Sequence, residues 1–370
     1  MRSTFAEINL SNLKYNFLNI RKKIGNRKIM AVVKADAYGH GMIRCVEKFE
    51  KLGSKKPEYY GVALTEEGIE LRKAKITDQP IVTFSPIKVD ELNDYLRHKI
   101  YPSFCSESDF GKLKKYKSGK QLRIHINIDT GMGRLGIPHK KAVEIISRIS
   151  KIKNVKIDGI YTHFATSDEK DKTFANLQLE RFNEILKQLR YEKVYFGIVH
   201  AANSGAILDM PQAYFDMVRP GISLYGYYPS LETSESIKLK PVMSLYSSVS
   251  TFKQISKGDS VSYGRRFIAN RKTNVATLPI GYADGISRNL TNRMSIIIKN
   301  KVYPQIGTVT MDRICVNTGN DKIKLGSKAI LLGKSNNYKI DAWDWSKILN
   351  TIPYEITCNI SKRVPRVYKG

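Results

Sequence analysis

Short apolar runs alternate with amphipathic segments along the first two thirds of the chain. The amphipathic segments carry apolar residues at the spacing that is typical of helices, whereas the runs between them indicate buried strands. The first helix is predicted to begin at an N-cap, Ser11, and to stop at Gly25. The strand candidates occupy residues 28–35, 59–64, 80–85, 100–104, 122–129, 155–164, 195–202 and 214–226.

This alternation predicts an α/β fold with a parallel sheet. Eight strand–helix units within about 225 residues favour a closed (β/α)8 barrel over a doubly wound open sheet. After residue 233 the pattern changes, because strand-like segments then follow one another through turns rich in Gly, Asn, Asp and Lys. The sequence therefore predicts two domains, a TIM-type barrel over residues 1–233 and a mainly-β domain over residues 234–370.

Composition narrows the class of protein. The 370 residues include no apolar run long enough to cross a membrane, and the first residues lack the apolar core of a signal peptide. Four widely spaced cysteines show no metal-ligand spacing, so we expect a reduced, cytoplasmic protein that binds no metal. Lys and Arg number 62 against 34 Asp and Glu, a net charge of +28. Because these basic residues are scattered and no nucleic-acid motif is present, a solvated lysine-rich surface is favoured over a specific nucleic-acid site.

Side chains that can do chemistry follow the predicted strands at their carboxyl ends, where the active sites of such barrels lie. Lys34 ends the first strand, although lysine is almost never fully buried unless it is paired. Arg134 lies in a glycine-rich turn after the fifth strand, and His163 follows the sixth. Ser204 follows the seventh strand, and Arg219 follows the eighth beside a glycine whose N–H can approach an anion closely.

Together these groups suggest a cofactor that carries an aldehyde and a phosphate. A lysine amine forms a Schiff base with an aldehyde, while a hydroxyl, glycine amides and an arginine suit a phosphate. Pyridoxal 5'-phosphate carries both groups. Each residue alone is a weak indicator, and the inference depends on all of the loops facing one end of the barrel.

Long motifs in a fixed order make the sequence resemble the alanine racemase family of fold-type III pyridoxal-phosphate enzymes. AVVKADAYGHG, at residues 31–41, resembles the family's cofactor-lysine motif almost letter for letter. The other matching motifs are DTGMGRLG, HFATSDE, HAANS, VRPGISLYG, VSYGRRF, LPIGYADG, GTVTMDR and PYEITCNISKRVPRVY. The resemblance implies a barrel followed by a β domain, and an isomerase that interconverts L-alanine and D-alanine and supplies D-alanine for peptidoglycan.

The resemblance also implies roles for individual residues. Lys34 matches the lysine that carries the cofactor and acts as one acid/base group. Tyr263 matches the second acid/base group, so that protons leave and reach Cα on opposite faces. Arg219 matches the arginine on the pyridine nitrogen, and His163 would link it to Tyr263. Arg134 matches a residue that contacts the cofactor's phenolic oxygen and the substrate carboxylate.

The remaining matches concern the phosphate, the substrate and the partner subunit. The phosphate cradle would consist of Tyr38, Ser204, Gly221, Ile222 and Tyr354. Met311 matches a residue whose backbone N–H helps to hold the substrate carboxylate, and Tyr282 and Asp312 match residues that narrow the pocket. In the family, the β domain completes the site of the other subunit, so a head-to-tail homodimer with shared active sites is expected.

One departure from the family lies at Asn127. Several relatives carry a carbamylated lysine at this place, where it braces the arginine that corresponds to Arg134. An asparagine cannot be carbamylated, so an amide, an anion or water must steady Arg134 here.

Alternative functions remain open from the sequence. A racemase for serine or for several amino acids would differ only in its pocket, and a hydrophobic pocket discriminates an added hydroxyl weakly. An amino-acid decarboxylase of the same fold type would place a carboxylate, not Arg219, on the pyridine nitrogen. A non-catalytic cofactor-binding barrel would lack the β domain, and a nucleic-acid-binding role is suggested by the charge alone.

Overall fold

The structure is a computed structural model that describes residues 3–114, 116 and 119–370. The chain forms two compact units. The barrel unit comprises Lys14–Ala37 and Met42–Lys240, and the β unit comprises the residues up to Leu13, Tyr38–Gly41 and Pro241–Gly370. In the described part of the chain, no helix has the length and apolar character that a membrane span requires. The predicted boundary between residues 233 and 234 stays a prediction.

Parallel strands form the closed sheet of the barrel unit. The eighth strand pairs with both the seventh and the first, and the fourth pairs with the fifth, so the ring has no free edge. This closure confirms the predicted barrel and excludes a doubly wound sheet, which would have two edges. Within the described residues, the eight barrel strands are, in order, Lys28–Val32, Tyr59–Val62, Ile81–Pro86, Ile100–Phe104, Leu122–Asp129, Val155–Tyr161, Ile198–His200 and Met217–Val218.

Side chains fill the barrel as a packed core. One cluster joins Met30, Tyr59, Val82 and Met217, which belong to the first, second, third and eighth strands. Parallel strands are covered on both faces and therefore consist of nearly continuous apolar residues, which is why each run could be found in the sequence. The reactive groups are consequently confined to the ends of the strands and the few polar positions inside.

Helices and short helical turns connect the barrel strands. The helices are Leu10–Ile24, Met42–Glu50, Thr65–Lys73, Leu92–His98, Ser108–Lys114, Ala142–Ile149, Thr173–Tyr191 and Ser204–Asp209. The 3-10 turns are Gly53–Lys55, His139–Lys141, Pro211–Ala213 and Ile222–Tyr225, and Ile137–Pro138 adds a short strand beside the fifth barrel strand. A further turn, Lys34–Gly39, has an unusual backbone that bears on the site.

The first helix begins earlier than the sequence predicted. It spans Leu10–Ile24 and follows the strand Phe5–Asn9 directly. The side chain of Asn9 accepts a hydrogen bond from the backbone N–H of Asn12 at 2.9 Å, so Asn9 is the N-cap and the prediction of Ser11 was wrong. Asparagine and serine are equally favourable N-caps, so residue type alone could not show whether Asn9 or Ser11 begins the helix. The predicted stop is confirmed at Gly25, whose φ is 66°.

The β unit contains a mostly antiparallel sheet. Its strands are Phe5–Asn9, Met243–Ser248, Thr251–Ile255, Ser260–Val261, Phe267–Ile268, Thr273–Leu278, Ser295–Ile298, Lys301–Ile306, Ile314–Gly319, Lys328–Ser335, Tyr338–Ile340 and Arg366–Lys369. Its helices are Ala342–Leu349 and Pro353–Asn359, with 3-10 turns at Tyr263–Arg265, Tyr282–Asp284 and Arg288–Leu290. Phe5–Asn9 pairs antiparallel with Met243–Ser248 and parallel with Arg366–Lys369. A mainly-β C-terminal domain is thereby confirmed.

Candidate active site

Lys34 follows the first barrel strand and begins a left-handed turn. Val32 and Val33 are buried, whereas Lys34 is half-buried. The next four residues, Ala35 to Tyr38, all have φ between 51° and 54°. Left-handed backbone costs an L-residue about 1–2 kcal/mol, so neighbouring contacts must hold this turn in place.

Two carboxylates of the barrel unit stabilise the turn. Glu67 accepts a hydrogen bond from the backbone N–H of Ala35 at 2.6 Å and, on its other oxygen, from that of Ala63 at 2.7 Å. Asp36 accepts from the N–H of Met42 at 2.7 Å. The backbone around Lys34 is therefore held by Asp36, which follows the first strand, and by Glu67, which follows the second. Sequence reasoning missed Glu67, since a glutamate in the first turn of a helix is an ordinary feature.

Arg219 lies at the carboxyl end of the eighth strand and is only 4% exposed. Its Nη2 donates to the carbonyl oxygens of Thr162 at 2.8 Å and Ala201 at 2.9 Å. Its Nη1 donates to Nδ1 of His200 at 2.8 Å. Burial lowers the pKa of Arg219 to about 10, which still leaves the guanidinium charged at neutral pH. The strand ends thus hold a fixed positive charge at the barrel mouth.

His163 lies beside Arg219 and is neutral. Burial, followed by the positive charges of Arg219, Arg134 and Lys34, lowers the pKa of His163 to about 3. Its Nδ1 lies 3.3 Å from Nη2 of Arg219, which can only donate. The hydrogen of the neutral ring is therefore on Nε2. The charges of Lys34, Arg134 and Arg219 thus all act on His163.

The exposed residue Arg134 is carried by a braced loop. Asp129 accepts hydrogen bonds from the N–H groups of Gly131 at 2.9 Å and Gly133 at 3.1 Å. Asn127 donates from Nδ2 to the carbonyl oxygen of Leu135 at 3.2 Å. An uncharged amide thus steadies the loop that carries Arg134.

Ser204 and the turn after the eighth strand form a cluster of hydroxyl and amide groups. The Oγ of Ser204 accepts hydrogen bonds from the N–H of Gly221 at 2.9 Å and from that of Ser223 at 3.4 Å. Its own O–H hydrogen can therefore point towards a ligand. Ile222, which is buried, begins the 3-10 turn at this point. Among the described residues, the buried Oγ of Ser223 has no hydrogen-bond partner.

Tyr38 and Tyr354 belong to the β unit and contact each other. Their ring centroids are 5.8 Å apart and the ring planes meet at 50°. Burial, and then the charge of Cys358, raise the pKa of Tyr38, so its phenol stays protonated and can donate. Gly39, with φ 81°, follows it, and a Cβ there would lie 2.2 Å from the carbonyl oxygen of Thr357. Only glycine fits this close approach.

Tyr263 and Met311, the other predicted site residues of the β unit, are strongly exposed. The exposed fraction is 75% for Tyr263 and 52% for Met311, and Tyr282 is 43% exposed. Asp312 pairs with Arg363 at 2.7 Å. The assignment of Tyr263 and Met311 to the site stays a prediction.

Three buried polar residues inside the barrel were missed by the sequence reasoning. His200 contacts Arg219, and His125 and Asp158 lie beyond it. A signal was present, because histidine and aspartate interrupt otherwise apolar strands. Alternation alone does not show which face of a strand points into the barrel, so it could not separate them from surface positions.

Two family models match most of the chain. The alanine racemase N-terminal domain matches residues 8–229, and the alanine racemase C-terminal domain matches residues 242–368. Alanine racemase from Clostridium novyi is 41% identical over 374 residues, covering 100% of this chain and 96% of that protein. Alanine racemase from Clostridium perfringens strain SM101 is 42% identical over 377 residues, with the same two coverages.

Solved structures give the same result. Alanine racemase of Clostridium difficile 630 superposes with a TM-score of 0.92 at 37% identity, covering 100% of this chain and 96% of that one. Alanine racemase from Bacillus anthracis with bound L-Ala-P gives a TM-score of 0.93 at 32% identity, with the same coverages. Both domains and their order agree with the resemblance that the motifs indicated. The chain belongs to the alanine racemase family.

Proposed function

We propose that this protein is an alanine racemase that interconverts L-alanine and D-alanine with pyridoxal 5'-phosphate as its cofactor, supplying D-alanine for peptidoglycan. The observation that carries the proposal is the family match over the whole chain, at 41% identity to the alanine racemase of Clostridium novyi. The geometry at the barrel mouth supports it. There, the positive charges of Lys34 and Arg219 help to keep His163 neutral.

The residues at the carboxyl ends of the barrel strands fit the cofactor. Lys34 supplies the amine that would hold it, and Arg219 supplies a donor for its ring nitrogen. The O–H of Ser204 and the hydroxyl of Ser223, which has no partner among the described residues, offer donors that suit a phosphate. When bound, pyridoxal phosphate supplies a conjugated ring that accepts the electrons released as the Cα–H bond breaks.

Arg219 would keep the ring nitrogen unprotonated. With a pKa of about 10, the guanidinium is charged at neutral pH and has no acceptor to offer. Electron withdrawal is then weaker than with a carboxylate partner, which favours return of the proton to Cα over transamination. The same arginine stands against the decarboxylase alternative.

Lys34 and Tyr263 are the proposed acid/base pair. Removal of the Cα proton on one face and delivery on the other needs two groups, and each must be able to hold or release a proton near neutral pH. Because Nδ1 of His163 accepts from Arg219, its Nε2–H can donate. A hydrogen bond from this N–H would stabilise the phenolate of Tyr263, the form that removes a proton.

A head-to-tail homodimer would complete the site. Tyr263 and Met311 are among the large side chains that a single chain leaves exposed, at 75% and 52%. Exposed aromatic and methionine side chains are typical of interfaces. Under this proposal, these side chains meet the barrel mouth of a second copy and leave solvent on assembly.

We also propose that the enzyme is cytoplasmic. Within the described residues, the cysteines at positions 105 and 315 are free. Free cysteines are the rule in a reducing compartment. Localisation of the tagged protein in fractionated cells would test this directly.

Deuterium exchange at Cα tests the reaction type and the substrate. Purified protein with added pyridoxal phosphate should exchange the Cα hydrogen of both L-alanine and D-alanine in D2O, without forming keto acid or amine. Lys34→Ala should abolish both the visible colour and the exchange. Lys28→Ala is the matched control, because Lys28 is exposed at the other end of the same strand. Faster exchange with serine would favour the serine racemase alternative, and loss of CO2 would show a decarboxylase.

Mixing two inactive variants tests the shared sites. Lys34→Ala and Tyr263→Phe should each be inactive alone. If each site combines a lysine from one chain with a tyrosine from the other, half of randomly mixed dimers carry one intact site of two, so about a quarter of wild-type activity should return. No recovery after verified subunit exchange would mean that both groups act within one chain.

A further inference from the structure

A line of buried polar side chains runs from Arg219 into the barrel. Nη1 of Arg219 lies 2.8 Å from Nδ1 of His200, and Nε2 of His200 lies 2.9 Å from Nδ1 of His125. Nε2 of His125 faces Oδ2 of Asp158 at 3.7 Å. We name these four residues the polar column. Both histidines are fully buried, and Asp158 is 6% exposed.

Donor and acceptor chemistry fixes every proton along the polar column. Arginine can only donate, so Nδ1 of His200 must accept. Burial, with the charges of Arg219 and then His125, lowers the pKa of His200 well below its ordinary value, so the ring is neutral and its hydrogen is on Nε2. The hydrogen on Nε2 of His200 points at Nδ1 of His125, 2.9 Å away. Nδ1 of His125 must accept it, because two hydrogens do not fit between nitrogens at this distance.

His125 is therefore left with its hydrogen on the nitrogen that faces Asp158. Burial lowers the pKa of His125, although the carboxylate of Asp158 opposes this, so this ring is neutral too. Among the described residues, Nε2 of His125 has no hydrogen-bond partner, and the carboxylate at 3.7 Å is its electrostatic partner. Only a negatively charged or hydrogen-bond-accepting group suits the position of Asp158, because the Nε2–H of His125 points at it.

Asp158 is held as a carboxylate at the far end. Burial alone would raise its pKa, but the contacts with His125 and Arg123 outweigh burial and bring the pKa below its ordinary value. Nη1 of Arg123 lies 3.0 Å from Oδ1, and the hydroxyl of Tyr59 donates to Oδ2 at 3.2 Å. Tyr101, whose ring stacks on His125, is a further titratable group at this end.

Packing around the polar column holds the two rings in place. Tyr161 stacks on His200 with ring centroids 4.9 Å apart and an interplanar angle of 11°. A Cβ at Gly159 would lie 2.5 Å from the ring of His125, so only glycine leaves room for that imidazole. Neither ring can turn over without displacing these neighbours.

We propose that Asp158 and His125 are positioning residues for Arg219. The carboxylate favours the hydrogen of His125 on Nε2, this leaves Nδ1 of His125 bare for His200, and His200 in turn presents a bare Nδ1 to the guanidinium. Arg219 is the donor for the cofactor's ring nitrogen in the proposed function. Its orientation is thereby set by the carboxylate of Asp158, which lies beyond the two imidazole rings. Neither Asp158 nor His125 contacts the reacting atoms.

Nitrogen NMR of the cofactor-free protein tests the tautomers. Protein labelled with 15N-histidine should show His125 and His200 as neutral rings with hydrogen on Nε2 from about pH 5.5 to 8.5, a range that spans the ordinary histidine pKa. Assignment uses His125→Gln and His200→Gln. Hydrogen on Nδ1 of either ring, or titration of either ring in this range, would overturn the proposal. This measurement does not depend on the proposed activity.

Kinetics of Asp158→Asn test the positioning role, and this arm rests on the proposed racemase function. The variant should lower kcat roughly tenfold or more with KM for alanine nearly unchanged, a loss of the size that follows removal of the outer partner of a metal-ligating histidine. It should also change the visible spectrum of the bound cofactor. Glu50→Gln is the matched control, because Glu50 pairs with Lys56 at 2.6 Å and accepts from the Tyr60 hydroxyl at 2.8 Å outside the barrel interior.

The outcomes are distinguishable. If Asp158→Asn matches Glu50→Gln in kcat and spectrum, the positioning role is wrong. If Asp158→Asn does not fold, Tyr59→Phe, which removes one donor from the same carboxylate, takes its place and should give a smaller fall in kcat in the same direction. A wild-type protein that does not racemise alanine would refute the proposed function but leave the tautomer measurement valid.

Discussion

Removal of the Glu67 carboxylate should loosen the turn that carries Lys34. Glu67 accepts three backbone hydrogen bonds, from Ala35 at 2.6 Å, Ala63 at 2.7 Å and Leu64 at 3.2 Å. A hydrogen bond to a charged acceptor contributes about 1.5–3 kcal/mol. Two of the donors, Ala35 and Leu64, are exposed, and water can replace their acceptor. Taking the lower figure of about 1.5 kcal/mol for the partly buried bond and half of it for each of the others, we expect Glu67→Ala to cost about 3 kcal/mol.

Part of this loss should be seen in cofactor binding. The share that belongs to the Ala35 bond is about 0.75 kcal/mol, which corresponds to about a three- to fourfold weaker affinity for pyridoxal phosphate. Urea unfolding measures the stability, and titration of the visible absorbance measures the affinity. Glu66→Ala is the control, because Glu66 is exposed on the same helical turn. Equal unfolding midpoints for Glu67→Ala and Glu66→Ala would refute the reasoning.

Three other predictions concern acid, the second base and a glycine. The barrel histidines His125, His163 and His200 have lowered pKa values, so between the lowered and the ordinary pKa the unfolded chain binds protons that the folded chain does not. Stability should therefore fall as the pH falls below about 6.5, by at most about 1.4 kcal/mol per histidine for each pH unit. Unfolding midpoints that do not change between pH 7 and pH 5 would contradict this. Tyr263→Phe should lower racemisation at least a hundredfold while Cα exchange persists for one enantiomer, and equal loss of exchange for both would argue against two bases. Gly39→Ala should destabilise the protein by several kcal/mol, because the added Cβ would overlap the Thr357 carbonyl. Gly53→Ala is the control: no atom lies within 4 Å of the added Cβ, so it should cost only about 1 kcal/mol for its positive φ. Equal melting temperatures for the two variants would show that the turn can adapt.

The barrel could be predicted from the sequence because each buried parallel strand is a nearly continuous apolar run. The bounds of the strands were predicted less accurately. The run at 214–226 reduces to the two-residue strand Met217–Val218, and the remainder forms the loop and 3-10 turn that carry Arg219 and Gly221. Pro220 and Gly221 already mark that change, since neither residue suits the interior of a strand.

The left-handed turn after Lys34 could not be predicted. Ala35 and Ala37 favour right-handed backbone, and nothing in their identity indicates φ near +50°. The conformation depends on the carboxylate of Glu67, which lies more than thirty residues further along the chain. Local preference and long-range contact disagree at this point, which is typical of functional sites.

The candidate site was predicted unevenly for a related reason. Lys34, His163 and Arg219 could be placed because the ends of barrel strands meet at one rim. The roles of Tyr263 and Met311 came from the family resemblance alone, because no periodicity in one chain identifies residues that act on a second copy. Their test is therefore the subunit-mixing experiment.

The pairing of Phe5–Asn9 with Arg366–Lys369 has a consequence for biosynthesis. Ala6 is aligned with Arg366, so during translation Phe5–Asn9 must wait for a partner strand made about 360 residues later. At about 5–20 residues per second, that wait is roughly 20–70 seconds. During it, the strand exposes an unpaired edge that other chains can bind. The nascent chain thus needs protection at Phe5–Asn9 until Arg366–Lys369 has left the ribosome.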